Sequence, residues 1–173
     1  EEAQFLIANL DEAVIDKALL LFPEEIRDEK TRVIKENLLS RLASISSVAD
    51  IYYDILNSFA VVTGTDKDDW FDIKRLDNNK TQVQFYRIIE GKKKRLFFNK
   101  IFNTSETKEI WVYGLDDDDV FNVENEGNFG GVKVRLIGGQ NNDVYTIDNG
   151  KKIAIYDYKS KPNTFEKLNG AKV

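Results

Sequence analysis

Residues 110–123 read IWVYGLDDDDVFNV, and residues 134–147 read VRLIGGQNNDVYTI. The two stretches align without a gap, with Gly138 against Gly114, an offset of 24 residues. Each contains a short apolar strand, a polar turn and a second strand that carries an aromatic residue. A third, degenerate copy follows at Ile153–Tyr158 and Phe165. Repeated units of this kind can stack as the coils of a β-solenoid, in which each coil buries its apolar residues against the next.

Two arrangements fit the repeat, namely stacked coils and a series of hairpins. We favour stacked coils, because both the strands and the chemistry of the turns are repeated. Stacking predicts that apolar residues of the first strands lie in register inside the coils: Ile110, Val112, Val134, Leu136, Ile153 and Ile155. It also predicts an aromatic ladder along the second strands, formed by Phe121, Tyr145 and Phe165.

Residues 1–62 have the apolar periodicity of helices. Asn9 followed by Glu12 has the spacing of a capping box, which predicts the start of a helix. Apolar residues then recur at helical spacing and predict core-facing helices, with a break near Ser46 or Ser47. These residues are Val14, Ala18, Leu21, Phe22, Ile34, Leu38, Leu42, Ile45, Val48, Ile51, Tyr52, Ile55, Leu56 and Phe59.

After Gly64 the apolar period changes to two, which predicts three antiparallel strands over residues 63–107, with turns at 77–80 and 91–93. The sequence therefore predicts an α+β fold with three parts. A helical segment of two to three helices (1–62) packs on an antiparallel meander (63–107), and a short β-solenoid-like stack follows (108–173). The basic run Lys92–Arg95 at the second turn is either a patch for phosphate or lipid headgroups or a solvated hairpin tip. The net charge of −5 favours the tip.

The composition excludes several kinds of chemistry. The 173 residues include 25 Lys and Arg, 30 Asp and Glu, and neither Cys nor His. Disulfides, thiol nucleophiles, Cys/His zinc sites and His-dependent triads are therefore excluded. The sequence begins without a signal-peptide pattern, has no apolar run long enough to span a bilayer and contains no Met. We therefore expect it to be a piece of a longer protein.

The turn Gly138–Thr146 resembles the calcium-binding nonapeptide of haemolysin-type (RTX) proteins, G-G-x-G-x-D-x-U-x. Departures from its glycines stand at Leu115, Asp117 and Asn141. The resemblance implies a weak Ca²⁺ site, with a Kd of about 10⁻⁴–10⁻³ M. Its ligands would be the carboxylates of Asp119 and Asp143 and carbonyls near Asp116 and Gln140. The alternative is a solvated acidic turn, in which Asp and Asn side chains cap their own backbone.

A broader resemblance rests on four segments, 62–71, 106–115, 133–139 and 156–161, which read VTGTDKDDWF, ETKEIWVYGL, KVRLIGG and YDYKSK. They resemble a module of large bacterial envelope proteins, in which a calcineurin-like metallophosphoesterase domain precedes the module and an outer-membrane β-barrel follows it. The resemblance implies a connector in the periplasm or at the outer-membrane surface of a Gram-negative bacterium. Its partners would be other domains of the parent chain or envelope proteins, and it implies no catalytic residue in this chain.

Three classes of function follow from these patterns. A non-catalytic structural or binding module fits the repeat and the missing catalytic residue types best. A glycan-binding module would use Trp70, Trp111, Tyr156 or Tyr158. An enzyme with paired carboxylates would draw on Asp116–Asp119 or Glu124, although neighbouring residues of one turn rarely flank a substrate. Nucleic-acid binding is disfavoured by the acidic net charge.

Overall fold

The computed structural model describes residues 1–77, 79–126, 131–159 and 162–173. The fold is α+β, as predicted, with a helical unit, Glu1–Leu56, and a sheet unit, Asn57–Val173. Asn78 of the predicted turn, and Ser160 and Lys161 of the last resembling segment, lie outside the described residues. Within those ranges, no helix has the length and apolar character needed to cross a membrane.

The helical unit consists of α1 (Glu2–Asn9), α2 (Glu12–Leu19), a 3₁₀ turn (Glu24–Ile26) and α3 (Glu29–Asn57). The predicted cap at Asn9 is wrong. Asp11 is the N-cap of α2, and its carboxylate accepts a hydrogen bond from the Val14 N–H at 2.8 Å. Asn9 instead ends α1, where its side-chain amide donates to the Phe5 carbonyl at 2.8 Å.

The predicted break at Ser46 or Ser47 is also wrong, because α3 runs through both residues. Serine breaks helices when its hydroxyl competes for backbone groups, but it can also bond back within a helix. In α3 the Ser44 hydroxyl donates to the Arg41 carbonyl at 3.0 Å, and the Ser47 hydroxyl donates to the Ser44 carbonyl at 2.9 Å. The serines are therefore accommodated, and one long helix replaces two shorter ones.

The predicted core-facing stripes of the helical unit are mostly exposed. Ile15 is the only hydrophobic residue that is buried in the described part of this unit. The helices α1 and α2 have eight residues each, too few to cover both apolar stripes of α3. The exposed stripe residues are Val14, Leu21, Phe22, Ile34, Leu38, Val48, Ile51, Tyr52, Ile55 and Leu56. Ion pairs from Lys35 to Glu12 (2.8 Å) and Asp16 (2.7 Å) join α3 to α2.

The described residues of the sheet unit form ten strands. They are β1 (Phe59–Thr63), β2 (Asp69–Asp77), β3 (Lys80–Ile89), β4 (Lys92–Asn103), β5 (Glu109–Leu115), β6 (Val120–Asn125), β7 (Lys133–Gly139), β8 (Val144–Ile147), β9 (Ile153–Tyr156) and β10 (Thr164–Lys167). The first sheet has the order β1-β5-β7-β9, and the second has the order β10-β8-β6-β2-β3-β4. Phe59 begins β1, so its predicted place in a helix is wrong.

Four repeats, each with one strand in either sheet, build most of the unit: β1–β2, β5–β6, β7–β8 and β9–β10. Equivalent strands pair in parallel. Glu109 lies beside Lys133, at the offset of the sequence repeat, and Phe59 lies beside Glu109. The alternative of successive hairpins is therefore wrong for this segment, since the two strands of a repeat lie in different sheets.

The buried rows of the repeats follow the predicted register. In the first sheet, Ile110, Val134 and Ile153 are neighbours, as are Val112, Leu136 and Ile155, and all six are buried. In the second sheet, an aromatic ladder runs through Phe71, Phe121, Tyr145 and Phe165, with ring centroids 4.9, 5.0 and 5.3 Å apart. Both predicted rows are confirmed, and Phe71 extends the ladder by one ring.

The three antiparallel strands predicted before the repeat are confirmed as β2, β3 and β4. The hairpin β3–β4 interrupts the sequence between the first and second repeats. It covers the outer edge of β2, where Phe85 lies opposite Phe71 with ring centroids 5.6 Å apart. The aromatic ladder continues into the hairpin, since Phe85 stacks on Phe97 of β4 with ring centroids 5.7 Å apart.

Replacing Leu136 by Ala should lower the free energy of unfolding of the sheet unit by roughly 2–5 kcal/mol, because Leu136 is fully buried between Val112 and Ile155. Leu96→Ala on β4 is the matched control. Leu96 is 44% exposed, so its loss should cost about 0.5 kcal/mol or less. Tryptophan fluorescence during urea unfolding measures both, since Trp70 and Trp111 lie in the sheet unit. Equal losses for the two variants would contradict the core position of Leu136.

Candidate functional site

Three turns connect the two sheets at the same level of successive repeats, and we call them the stacked turns: 64–69, 114–119 and 138–143. Each begins with glycine and ends, five positions later, with a buried aspartate. The pairs are Gly64 with Asp69, Gly114 with Asp119 and Gly138 with Asp143. The predicted ligand residues Asp116, Asp119, Gln140 and Asp143 belong to the second and third of these turns.

The second and third turns share one backbone conformation. Leu115 and Gly139, at the second position, have φ of 94° and 128°, and Asp117 and Asn141, at the fourth, have φ of 63° and 61°. These are the left-handed positions that glycine favours. A Cβ atom at Gly139 would lie 2.1 Å from the Leu115 carbonyl oxygen. Leu115, Asp117 and Asn141 stand where the RTX motif has glycine, and all three have the positive φ that glycine favours.

The aspartates that end the turns form a hydrogen-bonded column along the stack. The Asp69 N–H donates to Asp119 Oδ1 at 2.8 Å, and the Asp119 N–H donates to Asp143 Oδ1 at 2.9 Å. The Asp143 N–H donates in turn to Asn163 Oδ1 at 2.9 Å. The side chains of Asp119 and Asp143 thus cap the backbone of the preceding repeat, whereas the Asp69 carboxylate accepts a hydrogen bond from the Thr65 N–H of its own turn at 2.6 Å.

A second column runs beside the first in the opposite direction. The Asp118 N–H donates to Asp68 Oδ1 at 3.3 Å, and the Asn142 N–H donates to Asp118 Oδ1 at 3.1 Å. Asn141 adds a contact from its side-chain amide to Asp116 Oδ1 at 3.0 Å. The acidic residues are therefore held by N–H donors of neighbouring repeats, which offsets part of their mutual repulsion.

The glycines leave the room that the buried carboxylates occupy. A Cβ atom at Gly114 would lie 2.0 Å from Asp119 Oδ2, and a Cβ atom at Gly138 would lie 2.2 Å from Asp143 Oδ2. No side chain can approach a carboxylate so closely. The aspartate side chain folds back over its own turn, and only glycine at the start of that turn leaves room for it. The glycine and the aspartate are therefore needed together.

Each aspartate that ends a stacked turn has one oxygen without a hydrogen-bond partner among the described residues, namely Asp69 Oδ1, Asp119 Oδ2 and Asp143 Oδ2. Asp69 Oδ1 lies 3.6 Å from the Arg87 guanidinium, which supplies a positive charge there. Burial, and next the charges of Asp143 and Asp69, raise the pKa of Asp119 to about 9. Burial, and next the charges of Asp157 and Asp118, raise the pKa of Asp143 to about 7. Burial and a 2.7 Å hydrogen bond that its hydroxyl donates to Asp157 also raise the pKa of Tyr145. A proton or a cation at these carboxylates would reduce the cost of burying them.

The structure gives different surroundings to the four residues of the predicted metal site. Asp119 and Asp143 are in contact, but Asp116 accepts from Asn141 and from the Asp117 N–H, and the Gln140 N–H donates to the Leu115 carbonyl. In residues 1–77, 79–126, 131–159 and 162–173, no three or more His, Cys, Asp or Glu residues are grouped to hold a metal. Asp119 Oδ2 and Asp143 Oδ2 alone fall short of the roughly six to eight oxygen ligands that Ca²⁺ takes.

Basic side chains lie over three of the four aromatic rings that were predicted to bind glycans. The Arg135 guanidinium lies 5.3 Å from the ring centres of both Trp111 and Tyr156. Burial alone would raise the pKa of the nearby Glu109. Hydrogen bonds from Arg135, Trp111 and Lys133 together outweigh that effect and lower this pKa to about 2. On the other sheet, Lys93 lies 4.5 Å from the Trp70 ring centre. Tyr158, which is 64% exposed, is the most exposed of the four candidates.

The remaining acidic and basic candidates lie apart from the stacked turns. Glu124 on β6 accepts from Asn122 at 2.9 Å and pairs with Lys74 at 3.1 Å. In the basic run, Lys93 pairs with the buried Asp72 at 2.6 Å, so part of the hairpin charge is used inside the sheet unit. Neither place brings two free carboxylates to face each other.

Sequence reasoning missed the first stacked turn. Gly64, Asp69 and Phe71 repeat the spacing of Gly114, Asp119 and Phe121, and Asp68 corresponds to Asp118. The signal was present in the sequence, but it stands 50 residues upstream and not 24, because the β3–β4 hairpin is inserted between the first and second repeats. A comparison of Gly-x₄-Asp-x-aromatic segments at any offset would have found it.

Comparison of the chain with protein-family models, with curated proteins and with solved structures found no match. The resemblances to RTX turns and to the envelope-protein module therefore stay predictions from the sequence. The stacked turns themselves are described by the hydrogen bonds and burial given above, which depend on no relative.

The buried aspartates predict that the sheet unit loses stability as pH rises from 5 to 9. Their pKa values in the folded protein, about 9 for Asp119 and about 7 for Asp143, lie above the ordinary value, so the folded state binds more protons. Stability is greatest below about pH 4 for these groups and falls by at most about 1.4 kcal/mol per pH unit for each proton. Glu109 acts only near pH 2–4.5, outside this window. Urea unfolding at several pH values measures the slope.

Asp119→Asn should flatten that slope, because the amide keeps an oxygen acceptor for the Asp69 N–H and has no charge to bury. Asp117→Asn is the matched control. Asp117 belongs to the same turn but is half exposed and pairs at 3.4 Å with the exposed Lys67. Its variant should keep the wild-type slope. An unchanged slope in Asp119→Asn would show that this carboxyl group does not carry the pH dependence.

Proposed function

We propose that this chain is a non-catalytic structural module, a short β-solenoid-like stack that serves as a connector in a larger bacterial cell-envelope protein. The column of hydrogen bonds from Asp69 through Asp119 and Asp143 to Asn163 carries the proposal. In this column the conspicuous acidic groups join one repeat to the next and are not presented to a substrate. The envelope setting, and a place beside a metallophosphoesterase domain, rest on the sequence resemblance.

Stacked repeats suit a connector because each repeat contacts mainly its neighbours, so that length and rigidity can be set by the number of repeats. In the described strands of the four repeats, β5 pairs with β1 and β7, and β7 pairs with β5 and β9. The buried rows continue from repeat to repeat at the same register. The architecture thus supports a load-bearing or spacing role.

Deleting residues 109–132 tests the role of the stack. The deletion removes one repeat and joins Lys108 to Lys133, which occupies the position of Glu109 beside Phe59. The Asp69 N–H can then donate to Asp143, and Phe71 can stack on Tyr145. We expect a protein that still unfolds cooperatively, with lower stability because one buried layer is lost. Circular dichroism and urea unfolding monitored by Trp70 fluorescence provide the measurement.

Deleting residues 109–120 is the control. It removes β5, the turn and Val120 but leaves the rest of β6, so the apolar rows no longer meet and the glycine of the second turn is lost. This variant should fail to unfold cooperatively. If the longer deletion is as disruptive as the shorter one, the repeats are not independent stacking units and the proposed role fails.

A weak calcium site in the stacked turns is a second candidate function. The observation that favours it is the pair of buried oxygens, Asp119 Oδ2 and Asp143 Oδ2, which lack partners among the described residues. Ca²⁺ would supply positive charge at this point and link two successive turns. Oxygen ligands of this kind are those that Ca²⁺ prefers.

Addition of millimolar Ca²⁺ at pH 8 should raise the melting temperature of the chain and release heat in titration calorimetry. Both effects should vanish in Asp143→Asn, which keeps the acceptor for the Asp119 N–H but removes the charge. Asp117→Asn should respond as the wild type does. If Ca²⁺ affects none of the three proteins, the turns are acidic caps without a metal.

A further inference from the structure

The two ends of the stack of repeats differ in how the apolar core is covered. Beside the first repeat, the β3–β4 hairpin adds Val83 and Phe102 to the core, and neither side chain is more than 4% exposed. At the fourth repeat, Ile155, Phe165 and Val173 help to line a concave surface of about 600 Å³. Phe165 is 39% exposed and Val173 is 70% exposed. A hairpin therefore covers the core at one end, and the other end, formed by β9 and β10, is open in the described part of the chain.

A further strand begins at the edge of β9. Lys172 pairs in parallel with Ala154. The Ile155 N–H donates to the Lys172 carbonyl at 2.7 Å, and the Lys172 N–H donates to the Ile153 carbonyl at 3.2 Å. This pairing places Ala171 beside Ile153, in line with a buried row of the first sheet, and Ala171 packs against the core. The first strand of a fifth repeat thus starts here, in the register of the four repeats before it.

The column of turn residues also has an open position at this end. The N–H groups of Asp69, Asp119 and Asp143 each donate to the side chain that ends the next turn. Asn163 ends the turn between β9 and β10, and among the described residues its own N–H donates no hydrogen bond. Asn163 also lines the concave surface. A fifth turn with an oxygen acceptor at the corresponding position would extend the column by one hydrogen bond.

The charged residues of β10 interact with the third repeat. Charged side chains on an edge strand oppose pairing with a further strand. On β10, however, Glu166 accepts a hydrogen bond from the Thr146 hydroxyl at 2.9 Å, and Lys167 pairs with Asp148 at 2.7 Å. Both partners lie on the β8 side, away from the open edge of β10.

We propose that the open end of the stack binds a fifth repeat, supplied by polypeptide that is joined to Val173 in the parent protein. The first strand of this repeat would pair in parallel with β9 as a continuation of residues 171–173. Its turn would offer an acceptor to the Asn163 N–H, and its second strand would lie beside β10 with an aromatic ring on Phe165. The inference rests on the proposed connector role, in which this chain is one part of a larger protein.

A second copy of this chain is the weaker occupant. The strand that begins at Ala171 can be continued only by residues that are joined to Val173, and a second copy cannot supply them. A head-to-tail contact would also place the β3–β4 hairpin of one copy against β10 of the other. The edge strand of that hairpin, β4, carries Lys92, Lys94 and Lys100, and such charge opposes strand pairing.

The test extends the full chain with a copy of residues 137–149, IGGQNNDVYTIDN, fused directly to Val173. Val173 holds the register position of Leu136, so the copy continues the new strand and then supplies the glycine, aspartate and tyrosine of the third repeat. The melting temperature of the sheet unit should rise by at least about 4 °C, because a further layer is buried. Fluorescence of Trp70 and Trp111 measures the melting, and hydrogen exchange should become slower in β9 and β10.

The matched control carries one additional Ser between Val173 and the same extension. A shift of one residue turns every side chain of the new strand to the opposite face of the sheet, so the apolar rows and the turn no longer match. This variant should melt within about 1 °C of the chain without an extension, and exchange in β9 and β10 should stay as it is in that chain.

The proposal is overturned if the directly fused extension changes neither the melting temperature nor the exchange of β9 and β10. It is also overturned if both extensions raise the melting temperature equally. Self-association of the unextended chain in sedimentation, without any rise on extension, would assign the open end to a second copy and overturn the choice of occupant. The repeat deletion under Proposed function leaves this end unchanged, so failure here leaves the connector role standing.

Discussion

The structure of the sheet unit depends on one contact, the hydrogen bond from the backbone N–H of one turn aspartate to the carboxylate of the next. This bond exists only if the carboxylate folds back over its own turn, and that position is open only above glycine, as the 2.0 Å approach to a Cβ atom at Gly114 shows. The bond fixes the distance and register between repeats at the turn. The parallel pairing of the strands and the stacking of the rings then follow from the same register.

The buried carboxylates that hold the repeats in register also carry an electrostatic cost. Asp119 and Asp143 are both almost fully buried, and each keeps one oxygen without a partner among the described residues. A buried carboxylate binds a proton or a cation more readily than an exposed one, which is why both pKa values are raised. Asn163 ends the column with a neutral acceptor. Asn163 therefore adds no buried charge, and the cost of burying carboxylates ends with Asp143.

The sequence was most informative where chemistry repeats at a fixed spacing. The apolar rows around Val112 and Leu136 and the ladder through Phe121 and Tyr145 follow from the repeat alone, because pairing equivalent strands leaves no other register. The helices were less predictable. Ser46 and Ser47 read as a break, yet serines bond within α3, and apolar spacing alone cannot show whether a stripe such as Val48–Leu56 is covered. The first repeat was missed because an inserted hairpin hides its spacing.

The acidic turn illustrates why residue type predicts a site less well than it predicts a fold. Asp116–Asp119 suggested ligands that converge on a cation, and the alternative was that each side chain caps its own backbone. The structure shows mainly a third solution, in which Asp118 and Asp119 point to different repeats and the two columns run in opposite directions. Direction along a stack is set by which neighbour offers a free N–H, and this depends on contacts between turns 24 and 50 residues apart. Carboxylates so placed act as structural acceptors first, and any cation takes only the oxygens that remain.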